Sequence, residues 1–62
     1  MKTKTVYVVQ ELLCGGNPND WSQWVDRFEN LSIRSAIHQV DEMEKNWPIS
    51  LRIIKRTEEV IE

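Results

Sequence analysis

His38 and Cys14 are the only histidine and the only cysteine in this 62-residue chain, and so the first residues to weigh for proton transfer or nucleophilic attack. A general base has to meet a nucleophile or a carboxylate in a held geometry. The helical spacing around His38 sets it opposite an apolar stripe, which makes it a solvated surface histidine. Cys14 has no basic residue close in sequence to lower its pKa and reads as an incidental thiol. One cysteine and one histidine can build neither an intrachain disulfide nor a Cys/His metal site. The carboxylate pairs Glu42/Glu44 and Glu58/Glu59 have the spacing of solvated surface charge. Gly15-Gly16 could cradle a phosphate only if a helix opened directly after them. Pro18 and Asn19 prevent that, so the glycines belong to a hairpin loop. No catalytic residue, cofactor or metal is expected, and the chain reads as a non-enzyme.

Binding chemistry is better represented. Three tryptophans are many for this length. Trp24 and Trp47 align with buried positions on their elements and are expected in the core. Trp21 lies beside the turn and, with Tyr7, Val9, Val25 and Ile54, is expected to extend a sheet face away from the helix. Arg52 and Arg56 fall on the same expected face, and aromatic residues and arginine are enriched at interface centres. Tyr7, Val9, Trp21, Val25, Arg52, Ile54 and Arg56 are therefore the expected partner-binding set. The alternative is a small nucleic-acid-binding or regulatory protein using Arg52, Lys55 and Arg56. Those charges alternate across both faces of one strand and make no continuous stripe. A formal net charge of −2 and a sequence pI near 5.3 also supply no basic surface for phosphates.

The elements that position these residues follow from pattern. Residues 5–13 are rich in branched and aromatic side chains and predict a strand. Val6, Val8 and Leu12 lie on one side, and Tyr7, Val9 and Leu13 on the other. A strand apolar on both sides belongs mid-sheet. Residues 15–20 are all turn formers. Residues 20–29 carry Trp21, Trp24, Val25 and Phe28 at helical spacing, and Asp20 with Gln23 could cap a helix. The aromatic content and the preceding turn favour a returning strand instead, with Trp24 and Phe28 on one face and Trp21 and Val25 on the other.

Residues 31–46 predict a helix with Ser32 as N-cap, Leu31 stapled against Ala36, and a surface pair between Asp41 and Lys45. Ile33, Ala36, Ile37, Val40, Met43 and Trp47 form its apolar stripe, and Pro48 ends it. Residues 50–61 predict a last strand, with Leu51, Ile53 and Ile61 on one face and Arg52, Ile54, Arg56 and Val60 on the other. The whole is an α+β, ββαβ fold: one compact domain with a three-stranded antiparallel sheet in order 2-1-3 and one helix on one face. Antiparallel pairing of the first and last strands brings Lys2 and Lys4 toward Glu58, Glu59 and Glu62, whereas parallel pairing would set like charges together.

A chain this short buries only about 60% of its unfolded surface, so a partner subunit is an expected source of stability. No apolar run approaches the roughly 20 residues that span a bilayer, and no signal-peptide pattern opens the chain. A cytoplasmic setting with a reduced thiol is expected.

Tyr7-Val8-Val9-Gln10, Gly15-Gly16, Trp24 with Phe28, Leu31-Ser32 with Ala36, and Arg52-Ile53-Ile54-Lys55-Arg56-Thr57 before Val60-Ile61 form a pattern that spans most of the chain. It resembles the short single-domain accessory proteins carried by bacteriophages and prophages, although the Asn17-Pro18-Asn19-Asp20 loop departs from them. The resemblance implies a compact ββαβ fold and a non-enzymatic role in the bacterial host cytoplasm. It implies binding to a host protein, as in anti-defence or anti-CRISPR proteins of this size class. The open sheet face separately makes association with a second copy of the chain, as a homodimer, an expectation.

Overall fold

The computed structural model describes residues 2–61. The elements run β1 (Lys2–Leu12), a short 3-10 turn (Trp21–Gln23), β2 (Trp24–Asn30), α1 (Ile33–Asn46) and β3 (Leu51–Val60). The strands form one antiparallel sheet in the order β2-β1-β3, as the apolar central strand required. Lys2 and Lys4, expected to lead into the first strand, are part of it. Lys4 stands directly opposite Glu58, and Thr3 opposite Glu59. Expectations for Met1 and Glu62 fall outside the described residues.

Residues 20–29 combine both readings of the sequence. The Asp20 carboxylate accepts hydrogen bonds from the Ser22 amide at 2.9 Å and hydroxyl at 2.7 Å. That cap starts a single 3-10 turn rather than a strand, and β2 begins only at Trp24. A bulge then breaks the alternation: Phe28 pairs with Val9 and Asp26 with Gln10, which leaves Arg27 as the extra residue. Trp24 and Phe28, expected on one face, therefore lie on opposite faces.

The helix starts where the Ser32 hydroxyl accepts from the Ser35 amide at 3.2 Å and stops at Trp47, ahead of Pro48. It lies on the face of Tyr7, Val9, Glu11, Phe28 and Asn30. Asn30 Nδ2 donates to Gln39 Oε1 at 2.7 Å, and Met43 and Trp47 line a groove with Glu11 and Phe28. Ala36 is fully buried, its small side chain allowing helix and sheet to approach closely. Three expected helix contacts are absent. Leu31 is 77% exposed and does not staple onto Ala36, Trp47 is 58% exposed rather than in the core, and Lys45 pairs with Glu42 at 3.7 Å rather than with Asp41.

Among the described residues, the buried hydrophobic side chains are Val6, Val8, Val9 and Ala36. Val9 lies beneath the helix. Val6 and Val8 point to the other face, which among the described residues no helix or strand covers, so their burial has to come from side chains.

Candidate functional site

Three side-chain layers roof the helix-free face. Its floor is Val6, Val8 and Gln10 of β1. Ile54 of β3 and Glu29 of β2 flank Val8, and Arg52 and Asp26 flank Gln10. Gln10 is 5% exposed, and a buried amide has to find partners. It accepts from Arg52 Nε at 2.7 Å and donates to Asp26 Oδ1 at 2.7 Å. Asp26 Oδ2 in turn accepts from Arg56 Nη1 at 3.0 Å. Because Arg56 stands opposite Val6 and Asp26 opposite Gln10, this ion pair runs diagonally over Val8 and closes it from solvent.

The pairing sets the charge state of its members. The Arg56 guanidinium, and then the Gln10 amide, hold the Asp26 carboxyl below its ordinary value of 3.8, more than its slight burial raises it. The same bond to Asp26 raises the Arg56 pKa.

At the loop end, the Arg52 guanidinium carbon lies 4.2 Å from the Trp21 ring centroid and 4.3 Å from the Trp24 ring centroid. Both distances are well inside the reach of a cation–π contact. The loop shapes the backbone that carries both rings and tethers the Trp24 ring directly. Gly16 N donates to the Leu13 carbonyl at 2.7 Å, and Leu13 N donates to the Gln23 carbonyl at 2.9 Å. Gly15 takes a left-handed φ of 76° that a glycine accommodates without strain. Trp24 Nε1 donates to the Pro18 carbonyl at 3.0 Å. Trp24 is half-buried, whereas Trp21 is 68% exposed. Arg52 Nη2 is buried without a hydrogen-bond partner, its surroundings being the two indole faces.

Of the expected binding residues, the structure gathers Trp21, Arg52, Ile54 and Arg56 on this face. Tyr7, Val9 and Val25 are not with them. Tyr7 pairs with Lys55, Val9 with Ile53 and Val25 with Glu11, all on the helix side, and Val9 is fully buried there. Adjacent strand residues point to opposite faces, so a set mixing Val9 with Ile54 cannot share one surface. Gln10, Asp26 and Trp24 were missed as site residues. The opposition of Lys4 and Glu58 contained the clue, because the same register sets Gln10 beside Arg52.

His38 is exposed and lines a shallow hollow with Asn30, Arg34, Ser35 and Gln39, a set without carboxylate or thiol. Cys14 is an exposed free thiol. Among the described residues, no cluster of His, Cys, Asp or Glu has metal-binding geometry, and no helix is long and apolar enough to cross a membrane. Comparison of the chain with protein-family models, with curated proteins and with solved structures finds no match.

Proposed function

We propose that this chain is a non-enzymatic protein-interaction module, a phage-type accessory protein that binds a host protein through the helix-free face. The observation that carries this reading is Trp21, a large indole held mostly in solvent against the Arg52 guanidinium, which also stacks on Trp24. An anchor already stacked before binding has less freedom left to lose, and tryptophan and arginine are the side chains that dominate interface energetics. The resemblance to short phage accessory proteins extends this reading to inhibition or modulation of a host defence component.

The nucleic-acid alternative has less support. Arg52 is enclosed between two rings and Arg56 is engaged by Asp26, which leaves Lys55 as the one member of that cluster without a pairing contact among the described residues.

The test is capture of partners from bacterial lysate by the tagged chain, with each captured protein identified and its affinity remeasured with purified components. Trp21→Ala is expected to weaken the identified complex by roughly thirtyfold or more, the scale of a hot-spot residue. Far-UV circular dichroism should stay unchanged. A complex indifferent to Trp21→Ala would remove this face from the assignment.

A further inference from the structure

The geometry points to the outer edge of β3 as a self-pairing surface, on which two copies of this chain join antiparallel strands into one continuous sheet. This surface is separate from the tryptophan–arginine stack and extends the proposed function to a dimer.

The main-chain pattern selects which residues can bond outward. Leu12 N donates to the Ser50 carbonyl at 3.0 Å, and hydrogen-bonded and non-hydrogen-bonded pairs alternate along an antiparallel ladder. On β3, then, Arg52, Ile54, Arg56 and Glu58 direct their backbone groups to β1. Ile53, Lys55, Thr57 and Glu59 direct theirs away from the sheet. Among the described residues no strand pairs with that side. β3 carries no proline and no bulge to blunt its free edge, and its charged side chains, which repel most strands, admit only a partner of complementary pattern.

The charge pattern then selects the partner and the register. The strand is basic in its first half (Arg52, Lys55, Arg56) and acidic in its second (Glu58, Glu59). An antiparallel second copy with Thr57 opposite Thr57 sets Lys55 against Glu59 and Arg56 against Glu58. It also sets Ile54 against Val60 and Ile53 against Ile61, with every outward-bonding residue meeting another. Ile61 is 81% exposed in the single chain, and Val60 is also exposed, so this pairing covers apolar surface left bare. Neighbouring registers fail: centring on Arg56 or on Glu58 places like charges directly opposite, which is unfavourable. The free stretch of β1 beyond β2 carries Lys2 and Lys4 without an acid, so self-pairing there repels.

The pairing yields a six-stranded sheet, β2-β1-β3-β3-β1-β2, about a two-fold axis normal to the sheet. Both helices then lie on one face and both tryptophan–arginine stacks on the other. Strand addition at a free edge is an established mode of recognition, with affinity from the backbone and specificity from side chains.

Sedimentation equilibrium of the full chain over a range of concentrations tests the proposal. The wild type is expected to pass from monomer to dimer. Lys55→Glu and Glu59→Lys should each raise the dissociation constant roughly tenfold, two symmetric attractions having become repulsions. An equimolar mixture of these two variants restores both pairs and should recover wild-type association. Thr57→Pro removes only an outward amide and should give a folded monomer by circular dichroism. A wild type that stays monomeric, charge reversals without effect, or a mixture that fails to recover would each overturn the proposal. Trp21→Ala should leave the dimer intact, so failure of this edge and failure of the host-binding face are read separately.

Discussion

Arg52 is held by three neighbours of two kinds: the indoles of Trp21 and Trp24 and an amide oxygen at its Nε. Removing it leaves Gln10 Oε1 buried without a donor and empties the space between Trp21 and Trp24. Arg52→Ala is therefore expected to destabilise the fold by about 2–4 kcal/mol, combining a charged hydrogen bond with stacked cation–π contacts. Arg52→Lys should recover part of that, since an ammonium keeps the charge but not the planar fit. Urea unfolding followed by tryptophan emission measures both. Acid should act through Asp26. Its native pKa lies below the unfolded value, so the unfolded chain binds more protons in acid. The stabilisation it supplies is complete above the ordinary carboxyl range and is lost as pH falls through the native pKa. Asp26→Asn should lower stability near neutrality, and the gap to wild type should close as pH falls through the carboxyl range and then through the depressed Asp26 value. Asp20, depressed by its bonds to Ser22, follows the same sign.

At the scale of elements, the loop between β1 and β2 positions the stack through close packing rather than hydrophobic burial. A β-carbon on Gly16 would meet the Leu13 carbonyl oxygen at 2.9 Å and the Gln23 β-carbon at 3.2 Å. Gly16→Ala is accordingly expected to lose about 1–3 kcal/mol in thermal or urea unfolding and to weaken partner binding through displaced tryptophans. How much of this was legible depends on what breaks a two-residue repeat. The strand order followed from an apolar central strand and from lysines facing glutamates. The face assignments in β2 did not follow, because counting alternate residues assumes no bulge, and Arg27 is one. Asp20 and the spacing of Trp21 and Trp24 carried a true helical signal that lasts a single turn before β2 takes over. For Tyr7 and Val9, a register that sets Lys4 opposite Glu58 already places them on the face away from Arg52 and Ile54, because it pairs Val9 with Ile53.

At the scale of the whole molecule, the expectation was two apolar sheet faces and a single cover. The helix supplies one cover, and long polar and aromatic side chains supply the other. The difference arises because Arg52, Arg56 and Trp24 are long enough to lie across the strand beside them, and burial of a neighbour by a reaching side chain leaves no mark in a hydrophobic pattern. Exposed apolar surface is displaced to Leu13, Trp21, Phe28, Leu31, Trp47 and the end of β3. Ile33 and Ile37 of the expected helix stripe are also exposed, Ile37 by 50%, so the helix buries Ala36 more completely than the rest of that stripe. The molecule is also uneven in build, measuring 41 × 25 × 14 Å. β2 meets β1 only from Tyr7 onward, so residues 2–6 and their β3 partners form a two-stranded spur beyond the helix-backed part. A ribbon of two strands has few means of resisting local opening. Amide exchange should accordingly begin at the tip and advance toward Gln10, and a strand docked along β3 would act there as a splint.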